Sequence, residues 1–245
     1  MIEVTNLAKH FHDRKRGDVK AVDGVSFTSR PGEIFGLLGV NGAGKTTTLR
    51  ILATLLKPTG GTALVDGADV VKNPKAVREK VGFLSTATAL YGRLTAQEMV
   101  EYFGRLNGLD ETTLKDRVDR LFARLEMEEF RHGRCDKLST GQKQRVSIAR
   151  TLVHDPQVMI FDEPTNGLDV LAARTIVQFI RECREQGKTV IFSSHVMSEV
   201  ARLCDRIAII HHGRMCVTGT VAELRSHFGI DDLEEVFVKA VEGMA

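Results

Sequence analysis

Short apolar runs bounded by polar turns alternate along this chain with stretches whose apolar positions recur every three or four residues. Residues 33–38, 158–161, 189–193 and 206–210 are apolar in the manner of buried parallel strands. Helical patterns cover 174–186 and 198–203, and another opens at Thr47, carries Leu49, Ile51, Leu52 and Leu55, and stops at Pro58. Residues 60–66 and 80–84 add strand signals between polar turns. Near the start, residues 2–27 alternate like the two arms of a hairpin whose tip, 13–18, is charged.

The middle of the chain keeps a different rhythm. From 95 to 155 the pattern is helical: Leu114, Val118, Leu121, Phe122 and Leu125 form one stripe, and Val146, Ala149, Leu152 and Val153 form another that ends before Pro156. Strand–helix alternation on both sides of this block predicts an α/β fold with a mostly parallel core sheet, interrupted by a helical insert. The expected organisation is an α/β core with an N-terminal antiparallel β subdomain over 1–84 and 156–220, a helical subdomain over 85–155, and a helical tail over 221–245. In the tail Leu233, Val236, Phe237, Ala240 and Val241 share one helix face, which fits docking on the chain's own body, with a subunit contact as the alternative.

Between the strand at 33–38 and the helix opening at Thr47 stands Gly39, Val40, Asn41, Gly42, Ala43, Gly44, Lys45, Thr46, the pattern G-x-x-x-x-G-K-[ST]. Glycines let the backbone curl so that successive N–H groups converge on phosphate oxygens, and the helix adds the positive end of its dipole. Lys45 reaches the β- and γ-phosphates, and the Thr46 hydroxyl faces Mg²⁺. A dinucleotide fold needs G-x-G-x-x-G, which these glycines do not follow.

Further candidate chemistry lies downstream. Asp162 and Glu163 follow the apolar run 158–161, so two carboxylates stand at the C-terminal end of a buried strand, where α/β sheets place their ligands. Asp162 suits Mg²⁺, directly or through water, and Glu163 suits orienting and polarising the attacking water. His195, after the strand at 189–193, can donate to the γ-phosphate from the same side of the sheet. Ser139 and Gly141, just before the helix carrying Val146, offer a hydroxyl and an N–H at a helix N-terminus. Alone that is a capped helix; as a second phosphate-directed helix end in another lobe, it fits the nucleotide of a neighbouring copy. His10 and His12 share a strand face, without a third metal ligand in view.

Taken together these residues resemble the ATP-binding cassette (ABC) ATPases, P-loop NTPases of membrane transporters. The phosphate loop at 39–46, a signature at 138–142, Asp162 and Glu163 with Pro164 and Thr165, the Gly167, Leu168, Asp169 loop, and the switch histidine His195 occur in the family's order across nearly the whole chain. The resemblance implies ATP and Mg²⁺ as ligands, and two cassettes paired head to tail, as a homodimer or heterodimer. It adds Asn41, Ala43, Thr47, Gln142 and Asp169 to the nucleotide contacts, gives Phe11 an adenine-stacking role, and makes Glu163 and His195 the catalytic pair. It implies transmembrane permease partners at the cytoplasmic face of the membrane, and the chain is similar to bacterial export cassettes of the sodium-efflux or drug-efflux type. The segment around Leu90, Tyr91, Arg93 and Leu94 corresponds to where such cassettes receive a helix of the membrane subunit.

Three positions depart from the family pattern. Where a glutamine that touches Mg²⁺ is usual, residues 85–88 read Ser, Thr, Ala, Thr; Thr86 has an oxygen but a shorter reach, so a water-bridged contact is expected. Thr140 replaces a signature glycine, which requires a negative φ there. Val40 replaces a common loop proline.

Composition narrows the partners. With 34 basic against 32 acidic residues the net charge is +2, too balanced for a phosphate backbone as the main partner, so nucleic acid is not expected. The four cysteines show no metal-ligand spacing and suit free thiols in the cytoplasm. No apolar run approaches the roughly 20 residues that cross a bilayer, and the N-terminus opens as a strand rather than a signal peptide, so a membrane role must use other chains. A cassette ATPase acting on nucleic acid or the ribosome is the alternative, but the chain has neither a long coiled-coil insert nor a second cassette. A cassette that binds without turnover is disfavoured by Lys45, Asp162 and Glu163.

Overall fold

The computed structural model describes residues 1–13, 17–85 and 89–243. In chain order the strands and helices are β1 (Ile2–Asp13), β2 (Gly17–Ser29), β3 (Ile34–Leu38), α1 (Lys45–Leu52), β4 (Gly60–Val65), β5 (Ala68–Asp69), α2 (Pro74–Lys80), β6 (Val81–Ser85), α3 (Ala96–Leu106), α4 (Glu111–Arg124) and α5 (Thr140–Leu152). They continue with β7 (Val158–Asp162), α6 (Val170–Glu185), β8 (Thr189–Ser194), α7 (Met197–Leu203), β9 (Arg206–His211), β10 (Arg214–Gly219), α8 (Val221–Phe228) and α9 (Leu233–Glu242). Among the described residues two sheets form, one ordered β2-β1-β4-β5 and antiparallel, the other ordered β10-β9-β3-β8-β7-β6 and parallel except at β10. This is the α/β architecture that the alternating pattern predicts.

Side-chain alternation divides the parallel sheet between two cores. Phe35 and Leu37 of β3, Ile160 of β7 and Ile191 of β8 face α1 and the antiparallel sheet, packing on Leu49, Ile51 and Leu52 and on Ile2, Val4 and Val22. Ile34 and Leu38, Met159 and Phe161, and Val190 and Phe192 face the other way, onto Ile176 and Ile180 of α6 and Val200 and Leu203 of α7. Gly36 lies on that second face, where a Cβ would stand 2.6 Å from Cys204 Sγ. The bare backbone lets the chain leaving α7 approach the sheet.

The middle block has a core of its own. Ala96, Met99 and Val100 of α3, Leu114, Val118 and Phe122 of α4, and Val146 and Ala149 of α5 pack together with Met127 and Phe130. On another face of α5, Ile148 and Leu152 belong to the sheet's second core, so this helix joins the two bodies. α9 packs against the same core through Leu233, Val236, Phe237 and Ala240, which is docking on the chain's own body.

Several boundaries differ from the sequence expectation. α1 ends at Leu52 rather than running to Pro58: Thr54 takes φ +60, and the Leu55 and Leu56 N–H groups both turn back to Arg50 O. α6 starts at Val170, capped by Asp169, because exposed Val170 (83%) and Leu171 (77%) hide its first turn from an apolar periodicity. β5, α2 and β10 had no sequence signal of their own. β10 is an edge strand with half-buried Met215, Cys216 and Val217, so its pattern is weak.

Two outcomes test this packing. Phe237→Ala should cost about 3–5 kcal/mol in urea unfolding, and the loss should persist in dilute, monomeric protein, because the contact is internal. His154, at the end of α5, is held below the ordinary histidine pKa of 6.5 by burial, against the opposing pull of the Val81 carbonyl that its Nε2 contacts at 3.1 Å. The unfolded chain therefore binds more protons below that value, and stability falls as pH drops through it. His154→Gln should flatten part of that acid limb in urea midpoints measured from about pH 7.5 to about pH 5.5.

Candidate nucleotide site

The loop 39–46 leaves the C-terminal end of β3 and delivers the chain into α1. Gly44, at φ +107, is the residue before the helix, and a Cβ there would stand 2.4 Å from Ala21 O. Only glycine fits that backbone and that clearance. No side chain caps α1 and no acid of its own lies in its first turn, so its N-terminal N–H groups are left to partners outside the helix.

Lys45 is 4% exposed, and its ammonium is ringed by oxygen: Gly39 O at 2.7 Å, Val40 O at 3.2 Å and Glu163 Oε1 at 3.1 Å. A buried charge requires such partners. The Thr46 hydroxyl donates to Asp162 Oδ1 at 3.0 Å, and the Ser193 hydroxyl donates to the same oxygen at 3.0 Å. Ser193 Oγ also accepts the Glu163 N–H at 3.0 Å. That contact helps hold Glu163 at φ +45, a left-handed conformation that costs energy in a residue with a side chain. The opposite carboxylate oxygen of Glu163 meets His195 Nδ1 at 3.3 Å and Asn166 Nδ2 at 3.4 Å. Lysine, glutamate and histidine thus form one continuous chain of polar contacts.

A cavity of about 340 Å³ opens here, lined by Ala21, Asn41, Gly42, Gly44, Lys45, Thr46, Thr47 and Glu163. A larger depression of about 640 Å³ lies elsewhere, between α4, α5 and α6. The phosphate-loop cavity is the one with convergent chemistry, whatever its size. Phe11 does not line it. The ring is 38% exposed on the hairpin opposite Val19, with Lys9 Nζ 5.0 Å from its centroid, so it is not a core phenylalanine. Ala21, two residues beyond Val19 on β2, connects that hairpin to the cavity wall. His10 and His12 approach different acids, Asp23 at 3.9 Å and Asp18 at 2.8 Å, and do not converge.

Ser139, Gly141 and Gln142 lie in a second depression of about 470 Å³, together with Asp169. It shares no lining residue with the phosphate-loop cavity. Ser139 Oγ accepts the Gln142 N–H at 3.3 Å while Gln142 Oε1 accepts the Ser139 N–H at 2.9 Å, a reciprocal cap on α5. Thr140 is the first residue of that helix and has no positive φ, so its Cβ is tolerated. Asp169 caps α6 by accepting the Ala172 N–H at 2.9 Å. Thr86 lies outside the described residues. The preceding Ser85 pairs with Asp162 in the β6–β7 register, so β6 ends beside the acids.

Sequence reading missed Ser193, Ser194 and Glu199. The available signal was a pair of serines closing an apolar strand before His195; both are buried, and polar groups buried at a strand end require partners.

A phosphate loop, a strand-end acid pair and a histidine from the neighbouring strand define a nucleoside-triphosphate-binding α/β protein. Residues 22–166 match the family described as ABC transporter, and residues 134–201 also match an AAA domain family. The chain is similar to the ABC transporter ATP-binding protein NatA of Bacillus subtilis (strain 168), 43% identical over 247 residues, 100% of each chain. It is similar to the Linearmycin resistance ATP-binding protein LnrL of the same organism, 35% identical over 98% of this chain and 76% of that one. The Nod factor export ATP-binding protein I of Ralstonia nicotianae is 40% identical over 91% of this chain and 70% of its own. Among solved structures, an ATP binding subunit of an ABC transporter superposes with TM-score 0.86 at 28% identity, covering 98% of this chain and 99% of that one. A dimeric ATP-binding cassette in a post-hydrolysis state with ADP and Pi superposes with TM-score 0.80 at 28% identity, covering 90% and 98%. The chain therefore belongs to the ABC transporter family and is an ATP-binding, ATP-hydrolysing cassette. Cassettes of this family dimerise and work with transmembrane subunits; among the described residues no helix is long and apolar enough to cross a membrane.

Proposed function

We propose that this cassette energises an export-type transporter from the cytoplasmic face of the membrane, hydrolysing ATP between two cassettes. The contact that carries this reading is Lys45 Nζ to Glu163 Oε1 at 3.1 Å, which sets the base beside the ammonium assigned to the γ-phosphate. The names of the relatives that concern Nod factor export and linearmycin resistance support the outward direction.

In this mechanism the α1 N-terminus and the N–H groups of Asn41, Gly42, Ala43, Gly44, Lys45, Thr46 and Thr47 cradle the phosphates, while Lys45 neutralises the γ-phosphate. Gly39 contributes through close approach instead, since a Cβ there would stand 2.4 Å from Ile210 O and its bare backbone lets the loop close against β9. Glu163 accepts hydrogen from water and aims its oxygen in line, and His195, within reach of the same carboxylate, donates to the γ-phosphate. The Thr46 hydroxyl and the Asp162 carboxylate, 3.0 Å apart, are hard oxygen donors that fit Mg²⁺. Bound there, Mg²⁺ would neutralise charge on the β- and γ-phosphate oxygens. Phe11 stacks on adenine from the hairpin. Ser139, Gly141 and Gln142, with Asp169 beside them, meet the nucleotide of the opposite copy, which accounts for their separation from the phosphate loop of their own chain. Residues 85–155 then act as the lobe that carries this cap.

Glu163→Gln should still bind ATP but lose about 10²-fold or more of its turnover and accumulate dimer on size-exclusion chromatography; undiminished hydrolysis would remove Glu163 from this role. Lys45→Ala should instead weaken ATP binding itself in a titration. Mixing Lys45→Ala with Ser139→Arg chains gives a direct test of the shared site. Each variant alone leaves both sites of a dimer damaged, while a mixed dimer keeps one intact, so turnover should reappear on mixing. Failure to recover it would exclude the opposed arrangement.

A further inference from the structure

β8 ends at Ser194, His195 follows, and α7 begins at Met197, which makes Glu199 the third residue of that helix. Its Oε2 accepts two hydroxyl hydrogen bonds from different loops. Ser194 Oγ donates from 3.1 Å, immediately before His195. Thr165 Oγ1 donates from 3.0 Å, two residues after Glu163 and across Pro164. Ser194 Oγ also accepts the Val196 N–H at 3.0 Å, which fixes its hydroxyl on both sides. The loop carrying the base and the loop carrying the histidine are thus tied to a single carboxylate oxygen, while Glu163 Oε2 and His195 Nδ1 face each other at 3.3 Å.

We infer that Glu199 is a positioning residue for hydrolysis, one that sets the separation of Glu163 and His195 without touching the reacting atoms. The inference rests on the roles proposed above for those two residues. Hydroxyl bonds to a carboxylate are charge-assisted and directional, and Pro164 limits how far Thr165 can move independently of Glu163. Displacement of a catalytic group by about 1 Å is enough to cost up to about 10²-fold in rate. A purely structural acid in the first turn of α7 would affect stability and leave the chemical step alone.

The purified full-length cassette distinguishes these roles by its steady-state ATPase parameters and melting curves. Glu199→Ala should lower kcat about tenfold with KM for ATP changed by less than about twofold. Glu199→Gln should recover most of that rate, because a carboxamide oxygen still accepts both hydroxyls. Thr165→Val should lower kcat in the same sense from the other end of the tie and add little in the Glu199→Ala background. A Glu199→Ala kcat within about twofold of the parent, a Gln variant no better than Ala, or additive losses in the double variant would each overturn the inference. Glu163→Gln in the same series separates the two levels of argument: if it hydrolyses normally, the assignment of the base has failed, whereas its inactivity beside an unaffected Glu199→Ala sinks only the role of Glu199.

Discussion

A lysine ammonium almost wholly removed from water must be surrounded by oxygen, and the arrangement around Lys45 depends on where those oxygens come from. Two are carbonyls of its own loop, turned inward by a glycine-rich backbone, and the third is the carboxylate of Glu163. The same demand places Glu163, the proposed base, next to Lys45, the group proposed to meet the phosphates. In the proposed mechanism phosphate oxygens take over the place that the Glu163 carboxylate holds on the ammonium, a group of like charge. The glycine before α1 and the left-handed backbone at Glu163 are the local costs of that organisation.

Those costs are supported by the sheet. β3, β7 and β8 are buried along their whole lengths and are paired in parallel, so the phosphate loop, the acids and the serine–histidine turn leave from the same edge. Asp162 lies opposite Ser193 in register, and the Ser193 hydroxyl reaches both that carboxylate and the Glu163 amide. A ligand site at the C-terminal ends of parallel strands is the general outcome for such sheets. Here the neighbouring strand also supplies the hydrogen bonds that hold the acids still.

α5 connects this rigid core to the second depression. Its N-terminus carries the reciprocal cap of Ser139 and Gln142, Val146 and Ala149 pack in the helical block, and Ile148 and Leu152 pack against the sheet's second core. The two depressions share no lining residue on one chain, and the proposed pairing of two cassettes accounts for that separation.

The linear sequence determined what depends on neighbours along the chain. Strand, glycine loop and helix in order define a phosphate site because the N–H groups and the lysine all come from a few consecutive residues, and apolar runs of strand length define the buried sheet whatever it packs against. Nearly the whole element order and the residues of the phosphate loop were legible for that reason. What tertiary structure alone decided were packing and partners: the seat of α9 on the sheet's second core, and the hydroxyl ties of Ser193 to Asp162 and of Thr165 to Glu199. A serine in a sequence has no direction. Its hydroxyl gains a specific partner only when parallel pairing sets a carboxylate opposite it, and that pairing is a property of the folded sheet.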